Sequence, residues 1–171
     1  MGETETHSPA VVCDAGPVIH LDELDCLDLL VDFPRVLIPT TVRQEVCHHR
    51  PAAFTRQDII WEEVEHPPEP TLQLEAMARL LPLHRGEVEA LCLVLANPGA
   101  ILLTDDTAAR LAATSLQIPA HGTLGVLVRA IRRHQRTQSE VVERLRQIPQ
   151  RSTLYVRSSL LAKIIEDVAG D

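Results

Sequence analysis

Apolar residues fall into short continuous runs separated by longer stretches in which they recur every three or four positions. The clearest runs are Ala10-Val11-Val12-Cys13, Val36-Leu37-Ile38 and Ile101-Leu102-Leu103-Thr104, with a weaker one at 117–120 and an edge-like one at 59–64. Such runs read as strands buried on both faces. Between them the spacing predicts helices. Gly16-Pro17 opens the first, with proline at a tolerated first-turn position. A second covers 24–31 through Leu24, Leu27, Leu30 and Val31, and a third starts at Thr41-Val42-Arg43-Gln44, which has the form of a capping box. Helices follow over 72–81, through Leu72, Ala76 and Leu80, and from Gly86 to the Asn97-Pro98-Gly99 stop, through Val88, Leu91, Cys92 and Leu95. The pattern continues over 107–116 and 124–134, then over 140–148 and 158–168 around a break at 149–152. The stretch 52–58 is ambiguous. Strand and helix alternate, so the fold class is α/β: a three-layer α/β/α arrangement around a central, mostly parallel sheet.

Acidic residues stand at the ends of the apolar runs. Asp14 closes the first strand, and Asp105 and Asp106 close the strand over 101–104. Glu45 lies near the start of the helix after the second strand, and Glu87 and Glu89 lie near the start of the helix from Gly86. Acids at helix starts serve as N-caps and dipole partners. They also face the crevice at the carboxyl ends of parallel strands. Glu87 and Glu89 are about 200° apart around a helix axis, so helical geometry alone does not choose between them. Several carboxylates brought together repel one another without a cation, and hard cations take oxygen ligands. A metal site of this kind suits phosphodiester hydrolysis.

Composition narrows the classes. Hydrophobic residues make up 45% and aromatics 2%, so aliphatic side chains must build the core. No apolar run approaches the ~20 residues of a membrane span, and the polar, acidic N-terminus lacks the order of a secretory signal. A soluble protein in the cytoplasm is the expectation, with a disordered tail over 1–9. The net charge of −8 counts against a general nucleic-acid binder. Arginines are concentrated late, with Arg129, Arg132, Arg133 and Arg136 in one cluster. They read equally as a phosphate-binding flank, a solvated face or a surface for an acidic partner. Asp22, Glu23, Asp25, Asp28 and Asp32 read as a solvated face. Cys13, Cys26, Cys47 and Cys92 form no Cys-x-x-Cys pair and read as reduced thiols. Cys47-His48-His49 lacks the second cluster that a zinc site needs.

Five fragments in this order resemble the PIN domain: Val11–Leu21, Val36–Val46, Leu83–Leu91, Leu102–Arg110 and Gly122–Leu127. The nearest likeness is to the DUF3368 group of prokaryotic PIN proteins, related to the toxin ribonucleases of toxin–antitoxin pairs. It covers about 11–130. The resemblance implies a catalytic domain over 10–136, with 137–171 a helical extension packed on it. It implies an Mg²⁺- or Mn²⁺-dependent endoribonuclease with an RNA substrate, an antitoxin protein as partner and a homodimeric state. Asp14, Glu45, Glu89 and Asp106 match the catalytic acids. Asp14, Glu89 and Asp106 would hold metal, with Asp105 assisting. Thr104 matches a hydroxyl position that contacts the acids. Thr104, Arg85 and Arg110 are the expected substrate contacts.

Two other readings stand beside this one. A PIN-like module without catalysis would bind a protein or nucleic acid through its arginine-bearing C-terminal helices. A phosphatase that resembles haloacid dehalogenases would use Asp14 as nucleophile, but it needs a second aspartate where this chain has Gly16.

Overall fold

The structure is a computed structural model and describes residues 9–170. The tail expected over 1–9 lies, apart from Pro9, outside the described residues.

The chain runs β1 (Val11–Cys13), α1 (Ala15–Glu23), β2 (Val36–Pro39), α2 (Thr40–His49), β3 (Trp61–Val64), α3 (Leu72–Leu80), α4 (Arg85–Leu95), β4 (Ile101–Leu103), α5 (Thr107–Ser115), β5 (Ala120–His121), α6 (Thr123–Arg132), α7 (Gln138–Arg151) and α8 (Ser158–Gly170). Among the described residues the strands form one sheet in the order β3-β2-β1-β4-β5, and every pairing is parallel. The first crossovers build outward from β1 to β3. The chain then returns through α3 and α4 to the other side of β1. Strand order therefore reverses between β1 and β4, and a crevice opens there beyond the strands' carboxyl ends.

The pleat sorts the core into two layers. Val11 and Cys13, Val36 and Ile38, and Leu103 face α1, α2, α6, α7 and α8, where Val18, Leu21, Val42, Leu127, Leu145 and Leu161 pack with them. Val12, Leu37 and Leu102 face the other way, against Leu74 of α3, Ala90 and Leu91 of α4, and Ala112 and Ala113 of α5. This is the three-layer α/β/α arrangement that the alternation predicted.

Several local expectations change. No single helix covers 24–31: Asp25 takes a left-handed conformation with φ of 52°, and a 3-10 turn over Leu27–Asp32 follows. Leu24, Leu27 and Leu30 are buried at intervals of three, the period of a 3-10 helix, while Val31 is exposed. Leu72 and Leu80 of α3 point away from the sheet, each 84% exposed, and Leu74 and Met77 face it instead. The helix α2 starts at Thr40, with no side-chain cap from Thr41. Strand β5 comes later than 117–120, because left-handed Gln117 is still closing α5. Helix α7 runs through Pro149 to Arg151, and the ambiguous stretch holds a 3-10 turn over Ala53–Thr55.

The acids over 22–32 are not a bare solvated face, and most of the arginine cluster is not free for phosphate. Arg136 donates to Asp28 (2.6 Å) and Arg133 to Asp32 (2.9 Å), and Arg129 pairs with Asp32 at 2.5 Å while lying over the Phe33 ring. Arg151 pairs with Asp25. Glu23 accepts from Ser152 Oγ and from Thr153 N and Oγ1. These polar contacts tie the end of α1 and the 3-10 turn over Leu27–Asp32 to α6, to the end of α7 and to the residues that follow each.

Candidate active site

Acids collect at the reversal point because Asp14, Asp105 and Asp106 follow the ends of strands, Glu87 lies in the first turn of α4, and Glu45 projects from the middle of α2. A cavity of about 400 Å³ lies beyond β1 and β4, lined by Asp14, Glu45, Glu87, Asp105 and Asp106, with Gly16, His20, His84, Leu154 and Tyr155 around them. The starts of α1, α4 and α5 converge on it, and their positive ends favour negative charge.

Asp14 is the N-cap of α1 and only 7% exposed. Its Oδ1 accepts from Ala15 N and its Oδ2 from Thr104 Oγ1, both at 2.8 Å. Burial pushes its carboxyl up to about 6; the hydrogen bonds from Thr104 and Ala15 pull against this, and the charges of Glu87 and Glu45 add to it. Asp106 is the N-cap of α5, with Oδ1 accepting from Ala109 N at 2.8 Å. Glu45 is exposed and accepts no hydrogen bond from the described residues. Its approach to α4 depends on Gly86, where a Cβ would lie 3.0 Å from Val42 and 4.0 Å from Glu45 Oε2.

Glu87, and not Glu89, lines the cavity. The helix α4 buries Glu87, Ala90, Leu91 and Val94, a stripe at i, i+3, i+4 and i+7 that aims Glu87 at the sheet's carboxyl edge. Glu87 accepts from His84 N at 2.7 Å. The hydrogen bond and charge of Glu87, followed by the charges of Asp106 and Glu45, hold the exposed His84 imidazole above its ordinary range. Glu89 turns aside and pairs with Arg85 at 2.7 Å. Of the expected apolar face, Leu91 and Cys92 are buried and Val88 packs against the core, while Leu95 is 37% exposed.

Asp105 is fully engaged as a latch. Its Oδ1 accepts from Thr123 N (2.7 Å), and its Oδ2 accepts from Thr123 Oγ1 (2.6 Å) and His20 Nδ1 (2.8 Å). Burial alone would raise its carboxyl, but these hydrogen bonds outweigh it and hold Asp105 below the usual range. It ties the end of β4 to the last turn of α1 and the start of α6 instead of offering free ligand oxygens. The latch needs Gly122, since a Cβ there would sit 2.5 Å from Asp105 Oδ1.

The three expected substrate contacts do not line the acid cavity. Thr104 has no exposed surface; it donates to Asp14 and accepts from Asp106 N at 3.1 Å, so its hydroxyl joins two acids. Arg85 is committed to Glu89. Arg110 lines an adjoining cavity. Sequence reasoning missed His20, although it sits four residues after Gly16 on the helix that Asp14 caps, hence on the same face.

As the chain stands, no three His, Cys, Asp or Glu side chains among the described residues are close enough to hold a metal ion. In donor type and charge the set still fits a hard cation. Asp14, Glu45, Glu87 and Asp106 are all oxygen donors, and among the described residues none is ion-paired with lysine or arginine. The Asp14 carboxyl is raised mainly by burial and secondarily by the charges of Glu87 and Glu45, and a cation would offset both.

Fold and site together define an α/β/α domain with a carboxylate cluster at the reversal point of a parallel sheet. The chain belongs to the PIN-domain family: the family model DUF3368, described as a PIN domain, matches residues 10–169. PIN domains are in general nucleases and in general use divalent metals. No curated protein matches the chain. No helix of the described residues is long and apolar enough to cross a membrane.

Proposed function

We propose that the protein is a divalent-metal-dependent endoribonuclease. One observation carries the reading: carboxylates from four separate elements, Asp14, Glu45, Glu87 and Asp106, face one cavity at the reversal point with no arginine or lysine among the described residues paired to them. Glu87 takes the ligand position that the family likeness assigned to Glu89. These four residues would hold Mg²⁺ or Mn²⁺, and the ion would supply an activated water and stabilise charge on the phosphodiester oxygens. Thr104 orients Asp14, and the hydrogen bonds of Asp106 and Glu87 to the starts of α5 and α4 fix those carboxylates in direction. The Asp105 latch keeps β4 and α6 in register around them. The family likeness supports RNA as substrate, and it supports the setting of a toxin paired with an antitoxin protein.

The test is Mn²⁺ calorimetry and RNA cleavage on wild type and Asp14→Asn. Binding and cleavage present in wild type and lost together in the variant support the reading. Wild-type protein that binds no metal and cleaves no RNA refutes it, and leaves a PIN-like binding module.

A further inference from the structure

Tyr155 is the chain's single tyrosine, and it is 86% exposed. The other aromatics are packed: Phe54 stacks edge-on against Trp61 at 4.8 Å, and Phe33 lies under Arg129. Tyr155 stands on the extended segment between α7 and α8. Glu23 holds the start of that segment through Ser152 and Thr153, and Leu154 N donates to Ser152 Oγ at 3.1 Å. Leu154 and Val156 pack against the core, so the alternation of an extended chain turns Tyr155 outward. The ring is thus displayed on a fixed backbone.

Tyr155 lines two adjoining cavities. One is the acid-lined cavity. The other, of about 610 Å³, shares Asp105, Thr107, Leu154 and Tyr155 with it and adds Arg110, His121 and Arg157. Among the described residues the guanidinium groups of Arg110 and Arg157 have no carboxylate partner, unlike those of Arg133, Arg136 and Arg151. The second cavity carries two guanidinium groups, Arg110 and Arg157, against the one carboxylate of Asp105; burial first, then the charges of Arg110, Arg132 and Arg129, hold the His121 imidazole below its ordinary range.

We propose that this second cavity is the track for a single-stranded RNA substrate, with one base stacked on Tyr155 and flanking phosphates held by Arg110 and Arg157. Stacking on an exposed ring requires an unpaired base, so the track selects single strands over duplex. It also supplies the phosphate contacts that the ion-paired arginine cluster cannot. The inference rests on the nuclease reading for the identity of the ligand.

The test is fluorescence anisotropy of a labelled single-stranded RNA, and of the same strand annealed to its complement, in EDTA so that binding is separated from metal-dependent cleavage. Tyr155→Ala is expected to weaken single-strand binding by about 5- to 140-fold, the range for one stacked base, with Tyr155→Phe close to wild type. Arg110→Gln and Arg157→Gln are each expected to lower the slope of log affinity on log salt by about 0.7. Circular dichroism should be unchanged by any change at the exposed Tyr155. Equal binding by wild type and Tyr155→Ala, or preference for the duplex, overturns the inference even where Asp14-dependent cleavage is intact. Tyr155-dependent binding without Mn²⁺-dependent cleavage by any sample supports the inference and sinks the nuclease reading.

Discussion

Replacing Thr104 by valine keeps the side chain's size and removes one hydroxyl. In the folded protein that hydroxyl donates to Asp14 Oδ2 at 2.8 Å and accepts from Asp106 N at 3.1 Å, with no access to water. One bond goes to an ionisable carboxylate, the other joins neutral groups. Together their loss, with both partners left buried or half-buried, costs about 2–4 kcal/mol. For a chain of this length that lowers the melting temperature by roughly 5–15 °C. Thr104→Ser keeps both bonds and gives up one buried methyl, about 1 kcal/mol. The loss in the valine variant also depends on pH. The Thr104 bond lowers the Asp14 carboxyl, which already stands at about 6, above its ordinary value. Removing the bond raises it further. A raised carboxyl costs stability as pH climbs through its folded value, so Thr104→Val should lose more at pH 8 than at pH 5. Urea unfolding in metal-free buffer at both pH values measures this. A valine variant as stable as wild type, or a serine variant as damaged as the valine one, would refute the role assigned to the hydroxyl.

Two further outcomes are expected. Glu87→Gln should weaken Mn²⁺ binding in calorimetry while Glu89→Gln leaves it unchanged; the reverse result would return the ligand role to Glu89. The Asp32 carboxyl is held low because Arg133 and Arg129 outweigh the effect of burial. Its stabilisation is therefore complete above the ordinary carboxylate value of about 4 and fades as pH falls through the lowered one. Asp32→Asn should then be less stable than wild type at pH 7, with the gap in urea midpoints closing in acid. A gap that persists at low pH would mean that packing, not charge, is what the variant loses.

Much of the fold was legible because parallel strands buried on both faces are continuous apolar runs, and β1, β2 and β4 are such runs. The acids were legible for a related reason. A carboxylate directly after an apolar run is placed at the strand's end by its own neighbours, and Asp14, Asp105 and Asp106 are all of this kind. Which face a helix buries was less legible. In α4 the residues Val88 to Leu95 offer overlapping apolar stripes, and only the packing against β1 and β2 selects the one that starts at Glu87. In α3 the same ambiguity put Leu72 and Leu80 inside when Leu74 is the residue that is buried.

Roles that depend on distant partners were not legible at all. Asp105 and Asp106 are adjacent and chemically identical, yet one is tied up by His20 and Thr123 and the other keeps an oxygen for the cavity. Arg133, Arg136 and Arg151 meet acids more than 100 residues earlier, as Arg136 meets Asp28 across 108 positions. The sequence by itself determined where strands end, where helices begin and that carboxylates stand at those joints, since propensity, capping and apolar runs are local. The tertiary structure decided which carboxylates remain free, which arginines remain unpaired and that Tyr155 stands beside both. A side chain's partner is set by the crossing of elements far apart in the chain, and no local pattern encodes that crossing.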